Sequence, residues 1–294
     1  MENVLITGGT GLIGTALTKL LEENGYNVRI LSRNPKAKNY FKWNLKEQHI
    51  DEKAFENLHH IIHLAGAGIA DKRWTSKRKQ VIIDSRVESA ELLLSKTKSL
   101  PVELKTFVSA SGIGYYGAVT SDHIFVETDE AENDFLGQVC KVWEEAALQF
   151  DANDIPTTIL RTGIVLSSNG GALEKMTTPI VSPLGSGDQY MPWIHIDDLC
   201  QLYLSAIQGK IKGIYNAVAP EYQTNTSFSK KLAKSLGRPF VPFGVPAFGL
   251  KTIFGELAII LLTGSRISCE KLMNESFEFK YPKLSEALKD LFKK

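Results

Sequence analysis

Cysteine is scarce in this chain, charge is balanced, and no uninterrupted apolar run reaches the length of a bilayer. The three cysteines, Cys140, Cys200 and Cys269, cannot all pair and have no metal-ligand spacing, which excludes a disulfide framework and fits a reducing, cytoplasmic setting. A formal net charge of +1 leaves no global field to attract nucleic acid or an anionic membrane, so a small molecule is the expected partner. The most apolar stretch, residues 257–262 with Leu250 and Phe254 before it, is interrupted by Gly255 and Glu256. It falls short of the roughly 20 residues a bilayer requires and is expected to form a buried helix. The N-terminus enters a strand pattern at Val4-Leu5-Ile6 without the basic and apolar regions of a secretory signal. Absent as well are a Gly-x-Ser-x-Gly elbow, a paired-carboxylate arrangement and any His, Asp or Glu grouping with metal-ligand spacing, so neither hydrolysis nor a metal centre is indicated.

What is present is the composition of a globular chain, 43% apolar and 23% charged over 294 residues. Short apolar runs alternate with longer amphipathic segments. Val4-Leu5-Ile6, Val28-Arg29-Ile30-Leu31, Ile61-Ile62-His63-Leu64, Phe107-Val108-Ser109 and Thr157-Thr158-Ile159-Leu160 read as strands. Leu17, Leu20 and Leu21, then Val81, Val87, Leu92, Leu93 and Leu94, mark helices between them. This rhythm predicts an α/β fold of the Rossmann type, a doubly wound parallel sheet over residues 1–218. After Arg161 the rhythm weakens into a glycine- and proline-rich insertion at about 167–190, and residues 219–294 read as a small C-terminal substrate lobe with a helix at Phe228, Leu232 and Leu236.

The strongest motif is Thr7-Gly8-Gly9-Thr10-Gly11-Leu12-Ile13-Gly14, placed between the first strand and the first helix. Glycines at Gly8, Gly11 and Gly14 allow backbone to approach a pyrophosphate, and the helix N-terminus offers free N–H groups and partial positive charge. A unit selecting NAD would place an acid at the end of the second strand. Here stand Ser32 and Arg33, a hydroxyl and a planar donor fork suited to a 2′-phosphate, so NADP(H) is the expected cofactor. His63-Leu64-Ala65-Gly66 ends the third strand with small residues that would let backbone pass near the cofactor, His63 itself reading as a packed or hydrogen-bonded residue. The basic group Lys72, Arg73, Lys77, Arg78 and Lys79 reads either as a solvated helix face or as an attraction for a phosphorylated substrate.

Taken in order, these motifs resemble the extended, epimerase-like branch of the short-chain dehydrogenase/reductase superfamily. More closely, the chain resembles its "epimerase family protein" subgroup of NADP-dependent sugar-nucleotide epimerases. The likeness runs through the glycine loop, Arg73-Trp74, Asp84-Ser85-Arg86-Val87, Ser109-Ala110-Ser111, Gly114-Tyr115-Tyr116-Gly117, Cys140-Lys141-Val142-Trp143-Glu144, Arg161-Thr162-Gly163, Trp193-Ile194-His195-Ile196-Asp197-Asp198 and Phe277-Glu278-Phe279-Lys280-Tyr281-Pro282. It implies hydride transfer at nicotinamide C4, a Tyr-x-x-x-Lys pair for the proton and the ribose, and a Ser or Thr that orients substrate.

This chain departs from that pattern. Lys141 falls where the lysine is expected, to bind the ribose, yet Gly137 stands four residues before it, and no tyrosine precedes a lysine at that spacing. Three replacements for the acid/base remain open: Tyr115 or Tyr116 displaced onto the loop after the Phe107 strand; His195, Asp197 or Glu127; or no proton transfer at all. Ser111 takes the hydroxyl position if Tyr115 is its partner, whereas pairing Tyr116 puts Gly112 there. The resemblance makes Arg161 a backbone-organising residue near the cofactor. Cys140 beside Lys141 reads as a buried thiol rather than a thiolate. Two functions follow: an NADP(H)-dependent oxidoreductase or epimerase acting on a polar small molecule such as a nucleotide sugar, or an NADPH-binding sensor with little turnover. The pattern is compatible with a monomer or a homodimer.

Overall fold

A computed structural model describes residues 1–293. In chain order the elements are β1 (Asn3–Thr7), α1 (Leu12–Glu23), β2 (Asn27–Ser32), β3 (Tyr40–Asn44), β4 (His49–Ile50), β5 (Leu58–His63), α2 (Ser76–Ser99), β6 (Thr106–Gly112), β7 (Ile124–Phe125) and α3 (Phe135–Asp151). There follow β8 (Thr157–Thr162), β9 (Ile164–Leu166), α4 (Ala172–Met176), β10 (Trp193–His195), α5 (Ile196–Ile207), β11 (Gly213–Ala217), α6 (Asn225–Leu236) and α7 (Ala247–Phe254). The chain closes with α8 (Ile259–Leu262), β12 (Arg266–Ile267), α9 (Glu270–Asn274) and α10 (Leu284–Leu291). Eight strands form one sheet in the order β11-β8-β6-β5-β1-β2-β3-β4, parallel except for the β3–β4 pair.

Strands of such a sheet are covered on both faces, so their residues are apolar throughout and alternate between two cores. Val4, Ile6, Ile30, Ile62, Val108 and Leu160 enter a layer with Leu17 and Leu21 of α1 and Leu199 and Tyr203 of α5. Their neighbours Leu5, Leu31, Ile61, Phe107 and Ile159 enter the opposite layer with Leu92 and Leu93 of α2 and Ala147 and Phe150 of α3. Each such side chain stabilises the fold by roughly 1.5–3 kcal/mol through removal from water. The expected doubly wound α/β fold is therefore present. The strand order reverses between β1 and β5, and a ligand crevice belongs at the carboxyl ends of those strands.

Three local expectations need correction. Residues 257–262 do not make a buried helix: Gly255, at φ +62, breaks the run into α7, a 3₁₀ turn and α8, and no residue of α8 is buried. Phe248 and Ile253 of α7 are 77% and 62% exposed. Val81 is exposed, and the buried seam of α2 is Ile82, Arg86, Ser89, Leu93 and Thr97, a face with polar residues in its middle. The basic group after β5 is more than a solvated face. Arg73 donates to the carbonyls of Thr252 and Ile253, and Lys79 pairs with Glu256 at 2.6 Å, latching this loop to the α7 region. Among the described residues no helix is long and apolar enough to cross a membrane.

A third core joins Leu166, Leu173, Val181 and Trp193 to Phe228 and Leu232 of α6 and Leu284 and Leu288 of α10. The segment between β9 and β10 thus packs with the C-terminal helices. Asp198, buried in the first turn of α5, accepts N–H bonds from Lys280 (2.7 Å) and Tyr281 (3.0 Å), although burial raises its pKa. Asp198→Ala leaves two N–H groups without an acceptor and is expected to lower stability by about 2 kcal/mol in urea unfolding; an unchanged midpoint would show that the C-terminal segment docks without this bond.

Candidate functional site

The loop between β1 and α1 is built to lie flat. Gly8 has φ +70, and a Cβ there would lie 3.0 Å from the Leu64 carbonyl carbon. A Cβ on Gly14 would sit 2.4 Å from Gly8 O, and one on Gly9 would strike the Ile30 side chain. Gly11 caps α1 in an extended conformation with no side-chain bond and no acid in the first turn, so the helix N-terminus is open to an anion. Thr10 and Gly11 are exposed, and Leu12 and Ile13 half-buried. At the neighbouring strand end, Ser32 accepts from Asn34 N (3.2 Å), and Arg33 is exposed with no ion pair among the described residues. These residues fit a dinucleotide with a 2′-phosphate: a cradle that Cβ atoms would fill, and a free guanidinium one strand away.

Thr7 and His63 serve this rim from beneath, because both side chains are fully buried. Thr7 Oγ1 accepts from Leu64 N (3.2 Å) and Ala65 N (3.1 Å), so its own proton goes to His63 Nδ1 at 2.8 Å. The Nε2–H of His63 is then left to donate to Ser89 Oγ at 3.1 Å, and Ser89 donates to Ser85 O. One neutral tautomer satisfies the chain, leaving the backbone of Leu64, Ala65 and Gly66 as the part that faces outward.

Of the residues expected to carry catalysis, Ser111, Tyr115 and Tyr116 converge on the Arg161–Glu144 pair, and Lys141 stands apart from them. Ser111 is buried and donates to Glu144 Oε1 at 2.7 Å. Tyr116 is 2% exposed, donates to Asn216 Oδ1 at 2.7 Å and accepts from Arg161 at 2.9 Å, and burial pushes its phenol up to about 12. Tyr115 is half-buried with its ring on the Arg161 guanidinium at 3.4 Å. Lys141 is exposed. An α-helix advances about 100° per residue, and α3 turns Cys140, Glu144 and Ala147 inward, which carries Lys141 and Glu145 to the outside. The pair that faces the end of β6 is Leu136 and Cys140. A Cβ on Gly114 would lie 3.4 Å from Leu136 Cβ and 3.6 Å from Cys140 Sγ, and one on Gly112 would lie 3.8 Å from the same sulfur. The four-residue spacing of a tyrosine–lysine couple is kept, filled by an alkyl group and a thiol that burial pushes up to about 12. His195 caps α5, accepting from Asp197 N at 3.1 Å, and stacks on Tyr281; Asp197 pairs with Lys280. Glu127 Oε1 accepts from Asn216 N.

Below the strand ends lies a polar network that the sequence reading did not assemble. Arg161 donates twice to Glu144 (Nε to Oε1 and Nη2 to Oε2, both 2.9 Å), with both side chains buried. Burial alone would lower the arginine's pKa, but the bonds and charge of Glu144 outweigh it and hold it above its ordinary value. The network joins α3, β6, β8, β11 and the 3₁₀ turn at Ile113–Tyr116. A charged residue four positions after a buried cysteine, on the apolar face of a helix, was the available signal for Glu144. Arg86 interrupts the seam of α2 in the same way.

Two measurements check this site. Burial depresses the His63 pKa from 6.5 to about 4, so the folded state binds fewer protons than the unfolded chain between those values. Its stabilising contribution is complete above pH 6.5 and lost as pH falls through 4, amounting to roughly 3 kcal/mol. His63→Gln should remove that part of the acid sensitivity, the remainder arising from other histidines such as His60; an unaltered pH profile would contradict the buried neutral ring. Glu144→Gln should cost about 3–5 kcal/mol by leaving Arg161 buried without a counter-charge, whereas Lys141→Ala should stay within about 0.5 kcal/mol. The reverse ranking in urea melts would place Lys141 inside.

With this geometry established, likeness to known proteins is informative. Residues 4–217 match the model of the NAD dependent epimerase/dehydratase family, and residues 245–291 match a domain of unknown function. The chain is 32% identical over 300 residues to the human epimerase family protein SDR39U1, covering 98% of this chain and 99% of that one. It is 33% identical over 308 residues to an epimerase family protein of Staphylococcus aureus, covering both chains fully. Among solved structures, human SDR39U1 (isoform 2) with NADPH superposes with a TM-score of 0.89 at 31% identity over 99% of both chains. A nucleoside-diphosphate sugar epimerase of Corynebacterium glutamicum gives 0.80 at 29% identity, covering 99% of this chain and 58% of that one.

Proposed function

The chain belongs to the NAD dependent epimerase/dehydratase family, and we propose that within it this protein is an NADP(H)-dependent oxidoreductase or epimerase of a polar small molecule, working without a tyrosine–lysine proton couple. The observation that carries this reading is the contrast between the two ends of the crevice. The dinucleotide rim is complete, with its glycine cradle, open helix N-terminus and free Arg33, while Leu136 and Cys140 occupy the inner face of α3. The NADPH in the human relative's structure supports the same cofactor here.

In this reading Gly8 to Gly14 hold the pyrophosphate, Ser32 and Arg33 take the 2′-phosphate, and the backbone of Leu64, Ala65 and Gly66 lines the path onward. When bound, the nicotinamide supplies hydride chemistry at C4. Ser111, Glu144, Arg161 and Tyr116 keep the strand ends rigid without moving a proton, which leaves Tyr115, half-buried over Arg161, or substrate or solvent as the source of any proton a reaction requires. In this reading residues 219–294, with the insertion at 167–190, form the substrate side. The sugar-epimerase neighbour makes a nucleotide sugar the first candidate substrate. Three buried free thiols support a reducing, cytoplasmic location. The second reading, an NADPH sensor with little turnover, draws on the same absence of a tyrosine at the inner face.

Calorimetric titration with NADPH and NADH tests the cofactor. NADPH is expected to bind more tightly, and Arg33→Ala to weaken it on the order of 10- to 100-fold with little effect on NADH; equal or preferential NADH binding would overturn the assignment. A screen of carbonyl compounds and nucleotide sugars for NADPH consumption or isomerisation then separates enzyme from sensor.

A further inference from the structure

Arg86 is a buried guanidinium without an acid. It projects from the middle of α2 with only 8% of its surface exposed, and among the described residues it forms no ion pair. Nη1 is fixed by the carbonyls of Ala67 (3.0 Å) and Ile82 (2.9 Å), and the guanidinium carbon lies 4.6 Å from the centre of the Trp143 ring of α3. Nε is buried with no hydrogen-bond partner. The other buried arginine, Arg161, has both edges engaged by Glu144 and Tyr116. A buried cation lacking a counter-charge is costly to the fold, and a residue held that way by two carbonyls and an indole is oriented toward something outside the chain.

Its position says what. A Cβ on Gly66 would lie 3.0 Å from Arg86 Cζ, so the absence of a side chain at Gly66 is what brings the guanidinium to the rim of the crevice. That rim is the carboxyl end of β5, with Trp143 and Cys140 of α3 on its far side. In a dinucleotide seated by its pyrophosphate on the loop after β1, the adenosine half turns toward β2, where Ser32 and Arg33 stand. The nicotinamide half must run the other way, across β5 and β6. There the inner face of α3 offers a thiol and an alkyl group and no cation, and Arg86 enters the same place from the neighbouring helix.

We propose that Arg86 binds the nicotinamide-riboside half of the dinucleotide, supplying from α2 the cation that α3 lacks. This inference rests on the reading that the chain binds NADP(H). Nη2, which neither carbonyl holds, presents its two N–H donors to the ribose hydroxyls, and the charge faces the adjoining phosphate.

Calorimetric titration of the full chain with NADPH and with adenosine 2′,5′-bisphosphate, which lacks the nicotinamide riboside, tests the proposal on wild type, Arg86→Gln, Arg86→Lys and Arg33→Ala. Arg86→Gln should weaken NADPH on the order of 10- to 100-fold and leave the bisphosphate within about twofold, which also shows that the glycine loop is folded. Arg86→Lys should recover part of the loss, and Arg33→Ala should weaken both ligands. Unchanged NADPH affinity in Arg86→Gln, or parallel loss of both ligands, would overturn the assignment. Failure of the wild type to bind either ligand would overturn the dinucleotide reading and this inference with it.

Discussion

The buried bond pair between Glu144 and Arg161 organises the centre of this protein. It fastens α3 to β8, and through Ser111, Tyr116 and Asn216 it reaches β6, the turn that follows it and β11. A doubly charged pair inside a sheet protein is stabilising only when its remaining donors and acceptors are satisfied. Here the two carboxylate oxygens receive three donors, and the arginine's outer edge is taken up by Tyr116 and the Glu127 carbonyl. The consequence is rotational. With Glu144 turned inward, the residue four before it, Cys140, faces the end of β6, and Lys141 faces solvent.

That rotation separates binding from proton chemistry. The residues proposed to seat the adenosine half of a dinucleotide lie at the ends of β1, β2 and β5, on elements other than α3. The groups that would move a proton in a relative with tyrosine and lysine lie on α3, and in this chain they are absent from the face that matters. Ser111 and Tyr116, polar and close to the crevice, are committed to the network beneath it. The buried arginine of α2, whose guanidinium lies over Trp143 of α3, is a cation bordering that helix.

The C-terminal region adds closure. Its third core shares residues with the segment between β9 and β10, Asp198 ties its last turns to α5, and Arg73 and Lys79 reach from the loop after β5 to the α7 region. The loop that borders the dinucleotide path is therefore mechanically connected to the lobe that would meet the substrate.

By itself the sequence determined the doubly wound sheet, the glycine loop and the presence of an arginine rather than an acid at the end of β2, because each rests on local order: alternating apolar strands, glycines whose missing Cβ atoms make room, and the identity of one residue at a strand end. The edge strands β4 and β11 and the neighbouring β3 escaped it, since strands at the margin of the sheet carry little continuous apolar signal. Only the tertiary structure decided which side of α3 faces the crevice. Adjacent residues on a helix point about 100° apart, so Cys140-Lys141 reads equally well in either register until Glu144 finds Arg161, a residue on another strand. The same holds for Tyr116 and Arg86: their exposure and partners are set by contacts distant in sequence, and those contacts distinguish a cofactor-facing group from a buried brace.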